Sequence, residues 1–229
     1  MSVSFAQPPV AVTRRSQAGE PAWELAYCYP TQGDWSEEDY LELSQKHRIE
    51  LVDGCIEVLP MATIFHQLLA DYLHSLLKDY LATAAPPEHR RGRALFAPLP
   101  VRLGSRRFRN PDVIYLRPER LKNLHGQPDG ADLAIEVVSE GKENRLRDLV
   151  TKRTEYTIAG IQEYWIVDPE TRSITVLTLT SSTPPEYREH GCFIAGTTAT
   201  SVLLPGFSVD VADLFAQADT AGEPVPTLL

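Results

Sequence analysis

The sequence predicts a mixed β-sheet flanked by helices. Three features support this: a long helical pattern precedes several short strands, one strand is almost entirely apolar, and a second helix follows it. Helices interleaved with strands in this way pack against the faces of a sheet. Of the 229 residues, 43% are hydrophobic and 23% are charged, which is typical of a globular chain and excludes a disordered or fibrous one.

The first half of the chain carries helix and hairpin signals. Ser36, with Asp39 three residues later, is typical of a capping box, and Asp53-Gly54 is typical of a hairpin turn. A long run of apolar pairs recurs every four residues until Pro86-Pro87 ends it. These signals predict helices over residues 37–46 and 64–81, and a hairpin over residues 50–59.

The second half is predicted to supply most of the sheet. The predicted strands cover residues 94–103, 113–116, 133–139, 164–167 and 174–179. Residues 133–138 are nearly all apolar, as in a central strand that is covered on both faces. A second helix is predicted over residues 146–159, with Gly160 as its C-terminal stop. We therefore expect one domain over residues 23–216, between tails at residues 1–22 and 217–229.

Composition predicts the cellular setting. The three cysteines, Cys28, Cys55 and Cys192, are far apart and form no CxxC pair, so a reducing cytoplasm is expected instead of a disulfide framework or zinc site. No apolar run approaches the roughly 20 residues that span a bilayer, and residues 1–17 lack the apolar centre of a signal peptide. We expect a cytoplasmic protein with no membrane partner.

The charge is distributed unevenly along the chain. Its net charge is −9, yet residues 88–122 hold ten basic and three acidic residues. Local potential governs the choice of partner more than the net charge does, so this segment is a candidate surface for nucleic acid. A solvated arginine-rich loop is the alternative.

Two carboxylates occupy positions where an apolar residue is expected. Glu136 lies inside the apolar run at residues 133–138, where an unpaired carboxylate costs several kcal/mol. Asp112 immediately precedes the apolar residues 113–116. If the two strands are neighbours, both carboxylates converge and could bind Mg²⁺ with positions left for water and a phosphate. A salt bridge from Glu136 to an arginine and a turn-capping role for Asp112 are the alternatives.

A lysine and a histidine are further candidates. Lys152 shares a helix face with Leu149 and Tyr156 and could reach the carboxylates, although a surface pair with Asp148 four residues earlier is the simpler interpretation. His66 borders the apolar face of the first long helix, where a hydrogen-bonded core histidine is the alternative. The chain contains no P-loop, GxGxxG, GxSxG or HExxH motif, so nucleotide-dependent, serine-hydrolase and zinc-hydrolase functions lack support.

Several segments recur in the order and spacing of a known family. They are Glu50-Leu51-Val52-Asp53-Gly54, His66, Pro111-Asp112-Val113, Glu136-Val137-Val138-Ser139, Asp148-x-x-x-Lys152-x-x-x-Tyr156, and the run from Gly160 to Pro169 that contains Glu163-Tyr164-Trp165-Ile166-Val167-Asp168. Together they resemble the Uma-type putative restriction endonucleases, a branch of the PD-(D/E)xK nuclease superfamily. The resemblance covers residues 34–216.

The resemblance implies a restriction endonuclease-like core with Asp112 and Glu136 as metal ligands. In the superfamily, a lysine usually follows the glutamate by two residues, but Val138 stands there in this chain. Lys152 is then the expected replacement. His66 lies on the helix from which other members add a polar side chain to the site.

The function that these arguments favour is an endonuclease that cleaves DNA and depends on Mg²⁺, with Mn²⁺ as a second candidate. Catalysis would involve Asp112, Glu136, Lys152 and His66. Phosphate contacts are expected from arginines of the basic segment, namely Arg90, Arg91, Arg93, Arg106, Arg107 and Arg109. Two other functions stay open: an inactive module that binds nucleic acid or a protein partner, and a metal hydrolase for a smaller phosphoester. A monomer and a homodimer are both compatible with the sequence.

Overall fold

The computed structural model describes residues 29–219, and it confirms a mixed sheet flanked by helices. The helices are α1 (Glu37–Ser44), α2 (Ile64–Thr83), α3 (Pro87–Arg90), α4 (Lys142–Leu146), α5 (Lys152–Ile158) and α6 (Val211–Asp219). The strands are β1 (Ile49–Val52), β2 (Cys55–Val58), β3 (Arg93–Phe96), β4 (Val101–Gly104), β5 (Arg107–Arg109), β6 (Val113–Leu116), β7 (Leu133–Val137), β8 (Glu163–Asp168), β9 (Ser173–Leu179), β10 (Tyr187–Ile194), β11 (Thr198–Thr200) and β12 (Ser208–Asp210).

The main sheet has six strands in the order β10-β9-β8-β7-β6-β3. Strands β7 and β8 are parallel, and the other neighbours are antiparallel. A parallel pair needs a long crossover, which here consists of α4, a π-helical turn at Arg147–Thr151, and α5. The crossover places these helices over one face of the two central strands.

Alternate residues of the central strands feed two separate cores. Ile135 of β7 and Trp165 of β8 belong to the core that α2 and α6 cover, whereas Ala134 and Ile166 face the core that contains Tyr156 of α5. This alternation follows from the period of two in a β-strand. It explains why the predicted central strand is apolar on both faces.

A smaller sheet, in the order β2-β1-β5-β4, lies between α1 and the rest of the chain. Asp53 and Gly54 have φ angles of 51° and 79°, so both occupy the left-handed region that a two-residue hairpin turn requires. Helix α1 begins with the predicted capping box at Ser36. Its Tyr40 packs on Phe108, with the ring centroids 5.1 Å apart. The hairpin and the first helix are therefore confirmed.

The strand predicted over residues 94–103 is wrong. The structure divides this stretch into β3, which joins the main sheet, and β4, which joins the smaller one. Pro98 and Pro100 lie between them, and proline cannot donate a ladder hydrogen bond. The predicted second helix starts earlier than expected, since the helical backbone is continuous from Lys142.

Part of the predicted domain boundaries falls on residues that the structure does not describe. Residues 1–28 and 220–229 lie outside the described range, and with them the boundary expected at residue 23, while α6 continues to Asp219, beyond the boundary expected at residue 216. Within residues 29–219, none of the helices combines the length and apolar character needed to cross a bilayer.

A buried arginine joins the smaller sheet to the crossover helix α5. Arg109 of β5 is fully excluded from solvent, and its guanidinium contacts Glu50 and Glu57 of the hairpin at 2.6 and 2.5 Å. On the other side, it forms two hydrogen bonds with Glu155 of α5, at 2.6 and 2.8 Å. The smaller sheet and the crossover helix are thus held together by one cation and three carboxylates.

We predict that Arg109→Met destabilises the fold strongly, because it leaves buried carboxylates without a cation. Removing one partner of a buried ion pair costs about 3–5 kcal/mol. Arg107→Met is the control: Arg107 pairs with an exposed Asp53, and such surface pairs contribute about 0–1 kcal/mol. Urea unfolding followed by circular dichroism measures both, and equal losses for the two variants would contradict the prediction.

Candidate active site

The pairing of β6 with β7 brings the two predicted carboxylates together. Val113 pairs with Ile135, and one further step of this antiparallel register places Asp112 across from Glu136. Residues that face each other in this way project from the same face of a sheet. Asp112 Oδ2 also accepts a hydrogen bond from the Val137 N–H at 2.8 Å, which fixes the aspartate immediately before the start of β6.

Glu136 is buried beside a cation and a phenol. Its Oε1 lies 2.8 Å from Lys152 Nζ and accepts a hydrogen bond from the Tyr156 hydroxyl at 2.5 Å. Burial raises the pKa of Glu136, and the nearby charges of Asp112 and Asp148 add to this rise, while the Lys152 ammonium opposes it. The cation needed by a buried glutamate is therefore a lysine, and not the arginine considered from the sequence.

Lys152 is buried rather than on the surface. Its Nζ lies between Glu136 and Asp148, and the distance to Asp148 Oδ1 is 3.2 Å. Burial by itself lowers the pKa of Lys152, but the surrounding carboxylates, Glu136 first, outweigh burial and raise the pKa above its usual value. The lysine therefore stays protonated at neutral pH. Its pairing with Asp148 is real, but it is not the exposed pair that spacing alone suggests.

His66 reaches the same place from the opposite layer. It lies in the first turn of α2, where Thr63 caps the helix by accepting from its backbone N–H. His66 Nε2 lies 3.1 Å from the Val137 carbonyl oxygen and 3.3 Å from Asp112 Oδ2. Burial alone would lower the pKa of His66, but the hydrogen bond and charge of Asp112 raise it above its ordinary value. The imidazole thus contacts one predicted ligand directly.

These four side chains line one cavity of about 240 Å³. The wall also includes residues that sequence reasoning did not select as site residues: Arg48, Asn110, Arg147 and Asp148. A signal for Asp148 was present, since it lies four residues before Lys152 and Tyr156 lies four after, on one helix face. Arg48 and Arg147 gave no such signal, because each lies among other charged residues and interrupts no apolar run.

The π-helical turn carries two of the residues that line the cavity, Arg147 and Asp148. Asp148 lies inside it, and its Oδ2 accepts from the Ser139 N–H at 3.2 Å while its backbone carbonyl accepts from the Tyr164 hydroxyl at 2.8 Å. Such turns within a helix are common at functional sites. Asp148 is therefore held from the strand side as well as by Lys152.

The donor chemistry of this wall fits a hard cation. Asp112 Oδ1 and Glu136 Oε2 form no hydrogen bond with any residue of the described range 29–219, and both side chains line the cavity. Mg²⁺ is commonly held by one or two carboxylates, with water and substrate phosphate as its other ligands. Within that same range, no three His, Cys, Asp or Glu side chains are grouped to hold a metal ion. A metal held by Asp112 and Glu136 would thus need further oxygen ligands.

The structure separates the six candidate arginines into two groups. Arg109 cannot contact a phosphate, because it is fully buried in its carboxylate cluster, and this expectation was wrong. Arg106 donates to the backbone carbonyls of Gly33 and Trp35, and Arg107 pairs with a carboxylate at the hairpin turn. Arg90, Arg91 and Arg93 are the exposed members of the set.

The comparisons with known proteins agree with this architecture. A crystal structure of a putative nuclease belonging to DUF820 from Anabaena variabilis ATCC 29413 is similar, with a TM-score of 0.56 and 17% sequence identity. The match covers 74% of this chain and 90% of that one, and it supports the fold. A search among curated proteins found no match.

The family comparison covers both carboxylates, the lysine and the histidine. The model of the Uma2 family, described as putative restriction endonucleases, matches residues 37–212. This is most of the chain, and it supports a nuclease function in general terms. The chain belongs to the Uma2 family.

Proposed function

We propose that the protein is a metal-dependent endonuclease that hydrolyses phosphodiester bonds in DNA, with Mg²⁺ as the metal and Mn²⁺ as a substitute. One observation carries the proposal: Asp112 and Glu136 face each other at the end of the central strands, beside a buried lysine, in the wall of a cavity. Family membership supports it. The free cysteines Cys55 and Cys192 are in keeping with a cytoplasmic location.

Asp112 and Glu136 would hold the metal through the carboxylate oxygens that face the cavity. When bound, such a metal polarises the phosphate and makes its bound water a better nucleophile. His66 would act as a positioning residue, because its contacts with Asp112 and the Val137 carbonyl hold the aspartate at the strand end.

Lys152 would neutralise charge on the phosphate. Because Glu136 and Asp148 keep its ammonium protonated, it is suited to electrostatic stabilisation and unsuited to removing a proton from water. Lys152 lines the cavity, so its ammonium would lie near a phosphate bound there.

DNA contacts would come from cations on the cavity wall and the exposed surface. Arg48 and Arg147 line the cavity, and Arg90, Arg91 and Arg93 are exposed beyond it. Contacts of this kind bind the phosphate backbone, so the affinity for DNA would fall as salt concentration rises.

The inactive-module alternative is less consistent with the buried charges. Each buried ion costs several kcal/mol in desolvation, and a binding scaffold gains nothing from keeping Glu136, Asp148 and Lys152 inside the protein. The alternative of a smaller phosphoester substrate is decided by comparing turnover of DNA with that of p-nitrophenyl phosphoesters.

We predict that Asp112→Asn and Glu136→Gln each reduce plasmid cleavage by about a hundredfold or more, because a neutral amide is a poor ligand for Mg²⁺. Both variants keep the size of the side chain, so the fold should persist. The measurement is plasmid nicking with Mg²⁺ or Mn²⁺, together with the rise in melting temperature that the metal causes. Asp213→Asn, an exposed change on α6, is the control. Wild-type cleavage by either site variant would refute the metal assignment.

We predict that Lys152→Met lowers the rate of plasmid cleavage by about 10²- to 10⁴-fold, the usual contribution of a positioned group. Metal-induced thermal stabilisation should persist, because lysine is not a ligand. Lys152→Arg should rescue poorly, since a planar guanidinium does not replace a compact ammonium.

Lys142→Met is the matched control, because Lys142 is exposed at the start of α4. Equal cleavage by Lys152→Met and Lys142→Met would return Lys152 to a structural role.

A further inference from the structure

A second cavity of about 280 Å³ lies beside the catalytic one. Arg48, Leu59 and Asn110 line both cavities, so the two are contiguous. Asn110 precedes Asp112 by two residues, which places their Cα atoms within about 7 Å of each other. Whatever occupies the second cavity is therefore a direct neighbour of a group bound at Asp112.

The walls of the second cavity combine flat apolar surface with amide groups. Leu41, Leu59, Pro98 and Pro100 supply apolar surface. Asn110, Gln45 and Gln127 supply side-chain amides, and the Asn110 amide is oriented by a hydrogen bond of 3.0 Å to the Ile49 carbonyl. An amide carries both a donor and an acceptor, which is the chemistry that pairs with the edge of a nucleobase.

The charge of this cavity suits a nucleotide. Of the described residues that line it, none is an aspartate or a glutamate, in contrast to the catalytic cavity next to it. Arg48 stands at the junction, and its side chain forms no ion pair within residues 29–219. Its guanidinium is thus available to a phosphate that connects the two cavities.

We propose that the second cavity binds the base of an unpaired nucleotide next to the scissile phosphate, and that the substrate is DNA which is unpaired at the cleavage site. This rests on the proposed function. A phosphate at Asp112 and Glu136 has a nucleoside attached to it, and the adjoining cavity offers that nucleoside apolar faces and amide edges. A base inside a duplex is paired and stacked, so it would have to leave the helix at a cost of a few kcal/mol to enter.

Binding without divalent metal tests the cavity separately from catalysis. Fluorescence anisotropy compares a short labelled DNA strand with its duplex, and the single strand should bind about tenfold more tightly or better, because a base in the duplex must first be unpaired and unstacked at a cost of a few kcal/mol. Gln45→Trp and Ser44→Trp put a large ring into the cavity and should remove this preference. Gln45 is exposed at the end of α1, so the first variant should fold normally.

Ser75→Trp, on the exposed face of α2, is the control and should retain the preference. Equal affinity for single strand and duplex, or an unchanged preference in both cavity variants, overturns the proposal. Tighter binding of RNA than of DNA of the same sequence also overturns it.

Cleavage with Mg²⁺ or Mn²⁺ then separates the two proposals. Duplexes with and without an internal unpaired stretch are compared, and cuts should fall within the unpaired stretch. If no DNA is cut but single strands still bind through the cavity, the endonuclease proposal fails and the base site stands. If paired and unpaired DNA are cut equally and the tryptophan variants cut like wild type, the base site fails and the endonuclease proposal stands.

Discussion

A lysine from the crossover helix and a glutamate from the central strand meet inside the protein, where each is almost fully buried. Removing two such charges from water costs several kcal/mol for each ion, and geometry and further hydrogen bonds must offset this cost. Here Tyr156 donates to the carboxylate of Glu136, while Asp148 accepts from the ammonium of Lys152. Helix α5 and strand β7 are thus fixed to each other by a set of polar contacts that is satisfied only in one relative position.

The carboxylate cluster around Arg109 fixes the same region from the other sheet. Arg109 precedes Asp112 by three residues, and Glu155, which it binds, follows Lys152 by three residues on α5. The chain that carries the aspartate and the helix that carries the lysine are therefore joined twice. The first connection is the contact between Glu136 and Lys152, and the second is the contact between Arg109 and Glu155. The site is therefore held by contacts on both sides of the strand end.

The site lies where the central strands end and the two layers of helices come within reach of each other. Lys152 belongs to the layer on one face of the sheet, and His66 comes from α2 on the other face. Along the strands the sheet separates these layers, whereas near the carboxyl end of β7 both layers contribute a side chain to the same cavity. In open parallel α/β sheets ligands bind outside the carboxyl ends of the strands, and the site here lies beyond the carboxyl end of β7, which with β8 forms the parallel pair of this sheet.

Much of this organisation could be predicted from the sequence. Glu136 and Lys152 each interrupt an apolar pattern, and a charge inside such a pattern is costly unless it has a partner, so its position is informative. The Asp53-Gly54 turn and the long helix α2 depend on local backbone preferences, and both formed as predicted. The sequence also contained the ordered motifs of the family.

Which of these groups meet depends on tertiary contacts. The register of β6 against β7 places Asp112 across from Glu136, and it depends on contacts between distant parts of the chain. The arginines also show that the sequence alone does not identify contacts, because a count of charges along the chain does not distinguish a buried arginine from an exposed one. Folding buries Arg109 among three carboxylates and leaves Arg91 in solvent. Local sequence patterns identify the charged residues that need partners, whereas the packing of distant elements selects those partners, because burial and pairing depend on the whole fold.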